Sequence, residues 1–186
     1  MRHPFMEALS LDLAGFGVAS FRYQFPYMEA GRGRPDPAPR LEATVRAAVA
    51  AAHACAPDLP LVAGGKSMGG RMTSRAFAEE ALPQVRGLVF VGFPLHPAGK
   101  PSVDRADHLG DIAQPMLFLQ GTRDRLADLS LLQPVLDSLG ARAELHLVTD
   151  GDHSFQVLKR TGRSEREVSR ELAGTIAGWV DKVLKS

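Results

Sequence analysis

The chain has 186 residues, with 22 basic and 21 acidic side chains and a formal net charge of +1. This balance gives no electrostatic reason to expect nucleic acid or an anionic membrane as a partner. No apolar run approaches the ~20 residues that a membrane-spanning helix needs, and the N-terminus lacks the apolar segment of a signal peptide. The single cysteine, Cys55, excludes an internal disulfide and is typical of a reducing compartment. The sequence therefore predicts a cytoplasmic protein with a single domain over residues 1–186.

The N-terminal half of the chain alternates between helical and strand patterns. Apolar residues recur at helical spacing over residues 5–16, and residues 18–23 are predicted as a strand. Residues 29–40 form a loop rich in Gly, Pro and Arg, which could be a basic binding loop or a solvated connector. The connector is favoured, because no aromatic residues lie between the basic ones. Residues 41–56 are predicted as an amphipathic helix, and residues 59–63 as a short buried strand.

The C-terminal half contains three more strand patterns and a long helix. Continuous apolar runs at 87–91 and 116–119 are typical of strands covered on both faces, and 144–148 is a further strand. The last helix begins at a capping box formed by Ser164 and Glu167. Its apolar stripe comprises Val168, Leu172, Ile176, Trp179 and Val183. Strands that alternate with helices imply right-handed crossovers and an α/β fold with a doubly wound, mostly parallel sheet.

The stretch 61–70, LVAGGKSMGG, has two interpretations. Its centre, GKS, resembles the end of a phosphate-binding loop, but that motif requires a glycine where this chain has Pro60. Residues 65–69 instead match G-x-S-x-G, between a strand and a helix predicted at 71–82. Small residues around a strained serine, in a strand–turn–helix setting, are typical of a nucleophile elbow. Ser67 is therefore the candidate nucleophile.

A serine hydroxyl is a poor nucleophile until a histidine takes its proton and a carboxylate orients that histidine. Asp124 and His153 each follow a predicted strand within a few residues, and they come after the candidate nucleophile in the chain. Other acids compete for the orienting role, namely Asp128, Asp150 and Asp152. Asp124 is favoured because it follows its strand by the shortest turn.

The segments GKSMGG, LFLQGTRD and DGDHSF resemble the three active-site segments of the small, lidless bacterial α/β-hydrolases labelled dienelactone-hydrolase-like. The similarity extends to HPFMEAL, FRYQFPYM and VGFPLHPAGKP and so covers nearly the whole chain. It implies a minimal α/β-hydrolase fold in which nucleophile, acid and histidine follow strand ends in this order. Ser67 would then attack a carbonyl carbon, His153 would act as general base and then acid, and Asp124 would orient His153.

The same resemblance predicts the surroundings of the site. The amide of Met68, at the start of a helix, would be one donor to the oxyanion. Only 23 residues, 92–114, separate two of the strands, which is too few for a cap domain, so we expect an open site. Tyr27, Phe93 and His96 follow strand ends and are candidates either for lining the substrate site or for simple packing. No metal or organic cofactor is implied.

One part of the family pattern is missing. In the resembling family a strand and a His-Gly-Ala-Gly-type loop precede the segment that matches HPFM, and the loop supplies the second oxyanion amide. The sequence as given contains neither, so we expect the sheet to lack a central strand between 18–23 and 59–63. Either the protein begins further upstream, or the sheet closes the gap by pairing these two segments or by borrowing a strand from a second copy.

The sequence therefore predicts a serine-triad hydrolase that acts on small esters or related acyl compounds as a monomer or homodimer. Transfer of the acyl group to an acceptor other than water stays open. The main alternative is a catalytically weak protein of the same fold that serves as a binding or scaffold module. The missing loop favours this alternative and predicts impaired activity, whereas the complete set of Ser67, Asp124 and His153 opposes it.

Overall fold

Four parallel strands form the central sheet of the computed structural model, which describes residues 3–185. They lie side by side in chain order and comprise β1 (Leu61–Lys66), β2 (Val85–Val91), β3 (Met116–Gly121) and β4 (Ala143–Val148). All three neighbouring pairs are parallel. The two middle strands, β2 and β3, are almost entirely buried, as expected for strands covered on both faces. The predicted α/β fold with a mostly parallel sheet is confirmed.

Helices cover both faces of this sheet. In chain order they are α1 (Pro4–Gly15), α2 (Pro26–Glu29), α3 (Ala38–Cys55), α4 (Met68–Glu79), α5 (Leu129–Leu139) and α6 (Glu165–Lys185). Side chains of α3, α4 and α5 share one hydrophobic core, and side chains of α1 and α6 share the other. Because successive residues of a strand face opposite sides, Phe90 of β2 lies in the first core and its neighbours Val89 and Val91 lie in the second.

The last helix forms as its sequence predicts. The Ser164 N–H donates to the Glu167 carboxylate at 2.7 Å, and the Glu167 N–H donates to the Ser164 hydroxyl at 3.2 Å, which closes the capping box. All five residues of the predicted apolar stripe are buried, namely Val168, Leu172, Ile176, Trp179 and Val183. Their burial attaches α6 to β2 and β3 on the face that also carries α1.

The prediction of a strand over residues 18–23 is wrong. These residues follow α1 without helical structure, but they join no ladder, and β1 pairs only with β2. An apolar groove separates the segment from β1 and is lined on its other sides by α1 and α3. A strand needs a neighbour for its backbone hydrogen bonds, and the central strand that the resembling family places here is absent from residues 3–185. Direct pairing of this segment with β1 does not occur either.

Between β2 and β3 the chain forms a loop and a short 3₁₀ helix, Asp104–Asp111. This connection contains no additional sheet or layer of helices. Its short length predicts a fold without a cap domain, and the structure agrees. Among the helices of residues 3–185, none combines the length and the apolar character that spanning a bilayer requires.

Candidate active site

Ser67 lies on a sharp turn between β1 and α4. Its backbone has φ 52° and ψ −121°, a conformation that residues other than glycine rarely adopt. The Ser67 N–H donates to the Val91 carbonyl at 3.0 Å, so the end of β2 holds this strained residue. The structure thus contains the nucleophile elbow that the motif predicts, with the serine at the carboxyl end of the sheet.

The glycines around Ser67 allow the turn to pack tightly. A Cβ on Gly65 would lie 3.0 Å from backbone atoms of Gly69 and Gly70, and a Cβ on Gly70 would lie 2.7 Å from the Gly65 carbonyl oxygen. A Cβ on Gly69 would meet nothing within 4 Å. Gly70 therefore takes the steric role that the motif alone assigns to Gly69.

His153 connects the serine to a carboxylate. Its Nε2 lies 2.7 Å from the Ser67 hydroxyl oxygen, and its Nδ1 lies 2.6 Å from an Asp124 carboxylate oxygen. An ionised carboxylate accepts hydrogen bonds only, so Nδ1 carries the proton and Nε2 can accept one from Ser67. The structure brings together the three side chains that the sequence analysis proposes as a triad.

Asp124 is buried and has several hydrogen-bond donors around it. Only 6% of the residue is exposed, and its second carboxylate oxygen accepts the Leu126 N–H at 2.8 Å. The side-chain amide of Gln120, which is fully buried in β3, donates to the oxygen that also faces His153. Gln120 in turn accepts the Phe93 N–H at 3.0 Å. These contacts fix the orientation of the carboxylate toward His153.

Sequence reasoning missed Gln120. The available signal was a single amide at the end of the otherwise apolar run Met116–Gly121, where a buried polar group needs partners.

The other acidic residues near the site have structural tasks. At the start of α5, Asp128 accepts the Ser130 hydroxyl and the Ser130 N–H, and these two hydrogen bonds lower the pKa of its carboxyl. Asp152 accepts the backbone N–H groups of Ser154 and Gln156 and so closes its own turn. Asp150 lies 3.4 Å from Arg160 at the surface. None of the three contacts the imidazole of His153.

The amide of Met68 is available as an oxyanion donor. Met68 is the first residue of α4, and within residues 3–185 its N–H donates to no acceptor. A free N–H at a helix N-terminus also carries the positive end of the helix dipole. It therefore suits negative charge that develops next to Ser67.

The three predicted lining residues differ in their surroundings. Tyr27 borders the same cleft as Ser67 and Met68, which has a volume of about 680 Å³ and an otherwise mainly apolar lining. Phe93, in contrast, is 1% exposed and packs in the core against other phenylalanines. His96 is 4% exposed, and its Nε2 accepts the Asp128 N–H at 3.0 Å. Of the three, only Tyr27 borders the cleft, because Phe93 lies in the core and His96 is buried against the loop that follows β3.

No metal centre accompanies these groups. Across the range 3–185, histidine, cysteine, aspartate and glutamate side chains nowhere gather in a set of three or more that could hold an ion. The polar groups gathered around Ser67 are its hydroxyl, the His153 imidazole, the Asp124 carboxylate and the Met68 amide, which are the parts of acyl-transfer chemistry.

Comparison with solved structures shows the same fold in other proteins. A lidless α/β serine hydrolase from Xanthomonas campestris has a TM-score of 0.72 at 21% identity, over 96% of this chain and 75% of that chain. An α/β serine hydrolase homologue from Coxiella burnetii has a TM-score of 0.69 at 18% identity, over 92% and 76%. The esterase domain of a Rhodothermus marinus protein has a TM-score of 0.68 at 15% identity, over 96% and 80%.

A family model gives the broader assignment. The model described as "Alpha/beta hydrolase domain" matches residues 1–181, nearly the whole chain. This match agrees with the strand order, the elbow at Ser67 and the absence of a cap layer. The chain belongs to the alpha/beta hydrolase family.

Proposed function

We propose that this protein is a serine hydrolase that cleaves small esters or related acyl compounds. The observation that carries the proposal is the continuous hydrogen-bonded chain from Ser67 through His153 to Asp124, with bonds of 2.7 and 2.6 Å. The structural relatives named above, serine hydrolases and an esterase domain, support the same reaction class. The cleft beside Ser67 has the volume of an ordinary small-molecule site, which favours a small substrate.

The reaction follows from the positions of the protons. As the Ser67 oxygen bonds to the substrate carbonyl carbon, its proton passes to Nε2 of His153, and the carbonyl oxygen becomes negative. The Met68 N–H donates to this oxygen. Collapse of the intermediate breaks the ester bond, and the leaving alcohol takes the proton from His153. A water molecule then gives its proton to His153 and attacks the acyl group, and Ser67 recovers its proton as the acid leaves.

Asp124 has no proton to transfer in this scheme. Its negative charge stabilises the imidazolium that forms twice in each turnover, and its hydrogen bond keeps Nδ1 protonated. In the resembling family a second oxyanion donor comes from a glycine-rich loop, which residues 3–185 do not contain. Because one such donor is worth about 10²–10³ in rate, we expect turnover below that of a hydrolase with both donors.

A fluorophosphonate probe tests the proposal directly, because only an activated serine reacts with it. We expect the probe to label the wild-type protein at Ser67, and Ser67→Ala to abolish both labelling and hydrolysis of short p-nitrophenyl esters. Ser154→Ala is a matched control, since Ser154 is exposed and next to His153 in the chain. Equal ester hydrolysis by wild type and Ser67→Ala would contradict the proposal.

Within residues 3–185 β1 is an edge strand beside an apolar groove, and this surface favours one alternative, a binding or scaffold protein of the same fold. The same labelling experiment separates the two functions. A folded wild-type protein with an unreactive Ser67 would support the scaffold function.

A further inference from the structure

Lys66 stands directly before the nucleophile, and nothing in the proposed chemistry uses it. It is the central residue of the GKS stretch whose phosphate-loop interpretation fails on sequence grounds. In the structure it ends β1, and its ammonium donates to the main-chain carbonyl of His153 at 2.9 Å. This side chain therefore joins the strand that carries Ser67 to the turn that carries His153.

Two aromatic rings enclose the Lys66 ammonium. Its Nζ lies 4.8 Å from the ring centre of Phe5 in α1 and 5.5 Å from that of Phe155. The two rings also stack on each other, with centres 5.9 Å apart. Ring faces attract cations, so both rings direct the ammonium toward the His153 carbonyl.

Partial burial of the Lys66 ammonium costs free energy. Burial lowers the pKa of Lys66, although the charges of Asp124 and Asp152 partly offset that effect. No carboxylate in residues 3–185 lies within ion-pair distance of its ammonium. An apolar side chain would fill the same space without the cost of desolvating a charge. The feature that the lysine adds is its hydrogen bond to the His153 turn.

The His153 turn needs support from outside. Two of its residues, Asp150 and Phe155, have positive φ angles of 59° and 64°, which residues other than glycine rarely adopt. The turn closes on itself through the Asp152 carboxylate. For the carbonyl of His153 itself, however, Lys66 is the sole donor among the residues described.

We propose that Lys66 is a positioning residue, which holds the backbone of His153 so that its imidazole spans the distance between Ser67 and Asp124. This inference rests on the proposed serine-hydrolase function. The two bonds of His153 tolerate little displacement, because a shift of about 1 Å at a reacting group costs up to roughly 10²-fold in rate. Lys66 also borders the cleft, but its ammonium is held by the His153 carbonyl, so we expect its loss to lower kcat more than it raises KM.

The test compares Lys66→Met, Lys66→Arg and the control Lys159→Met on a short p-nitrophenyl ester. Methionine keeps the apolar stem but removes the donor, and arginine keeps a donor and the charge. We expect Lys66→Met to lower kcat by about 10–100-fold with KM within about 3-fold. Its melting temperature should change by only a few degrees, because removal of a half-buried charge offsets the loss of the hydrogen bond to His153. Lys66→Arg should recover most of kcat. Lys159→Met, at an exposed position shortly after His153 in the chain, should behave as wild type.

The fluorophosphonate labelling rate of Ser67 provides a second measure that does not depend on substrate binding. A slowed rate in Lys66→Met, restored in Lys66→Arg, would support positioning. If wild type is active and labelled but Lys66→Met keeps kcat within about 3-fold, the positioning role is wrong and the proposed function stands. A loss of melting temperature in both variants, without recovery by arginine, would show a purely structural lysine and overturn the inference. If wild type is neither labelled nor active, the proposed function itself fails.

Discussion

Replacing Asp124 by asparagine tests the predicted triad most sharply, because the structure shows what each amide atom would meet. One carboxylate oxygen accepts the Leu126 N–H, and the other faces both His153 and the Gln120 amide. Asparagine has one oxygen and one NH₂ group. With the NH₂ toward His153 it opposes the donor of Gln120, and with the NH₂ the other way it opposes the Leu126 N–H. In either orientation a buried donor loses its acceptor.

The first orientation also changes the tautomer of His153. An NH₂ group facing Nδ1 requires that nitrogen to accept, so the proton moves to Nε2 and the imidazole can no longer take the proton of Ser67. The corresponding change in a well-studied triad lowers kcat by about 10⁴. We expect a loss of about 10³–10⁴ in kcat for Asp124→Asn. The unsatisfied donor should cost about 1–3 kcal/mol of unfolding free energy. For a chain of this size that corresponds to a fall of about 2–12 °C in melting temperature.

Steady-state hydrolysis of a short p-nitrophenyl ester and thermal unfolding measure both effects. Asp150→Asn is the matched control, because Asp150 lies in the histidine turn but pairs with Arg160 at the surface. It should retain activity close to that of wild type. If Asp124→Asn keeps kcat within about 10-fold of wild type, the tautomer argument is refuted and another group orients His153. If the melting temperature is unchanged, the hydrogen-bond count around Asp124 is wrong.

Three further predictions concern stability, pH and substrate binding. Gly64→Ala would place a methyl group against a carbonyl oxygen of β2 and should lower the free energy of unfolding in urea by about 1–3 kcal/mol. Gly69→Ala has open space around its Cβ and should lower it by less. Equal losses of unfolding free energy in the two variants would contradict the close approach of β1 and β2. Burial, and after it the charges of two nearby arginines, lowers the pKa of His108 to about 4. The unfolded chain therefore binds a proton near pH 6.5 that the folded protein does not accept, and stability is lost as pH falls from about 6.5 toward 4. Allowing for the partial exposure of His108, the loss is about 1–2 kcal/mol. His108→Gln, which keeps a partner for Ser74, should flatten this acid limb of the unfolding free energy, and an unchanged limb would exclude His108 as its cause. Tyr27→Ala should raise KM by about 3–10-fold and keep kcat within about 2-fold of wild type, because Tyr27 lines the cleft without touching the triad. An unchanged KM would show that Tyr27 only packs against its neighbours and does not contact the substrate.

Features that depend on neighbouring residues in the chain could be predicted from the sequence. The capping box of Ser164 and Glu167 forms because the two groups are three residues apart on a helix. The elbow at Ser67 follows from small residues between a strand and a helix. The proximity of Ser67, Asp124 and His153 could be predicted as well, because strand ends of a parallel sheet meet at one edge.

Helix α5 shows the limit of local patterns. Its apolar residues recur at helical spacing after the N-cap Asp128, but Pro134 stands inside the helix and weakens that signal. Packing of Leu132 and Leu136 into the core outweighs the cost of the proline.

Only the tertiary structure decided the remaining features, because each depends on a contact between distant segments. Residues 18–23 have the composition of a strand, but a strand needs a neighbouring strand to form a ladder, and in the described range 3–185 β1 pairs only with β2. Phe93 and His96 follow a strand end as site residues do, yet the packing of the next strand and its loop buries both. The hydrogen bonds from Phe93 to Gln120 and from Lys66 to the His153 carbonyl likewise join residues more than 25 positions apart in the chain. Sequence periodicity predicts which face of a helix or strand is apolar. Which polar groups meet depends on how two such helices or strands pack against each other.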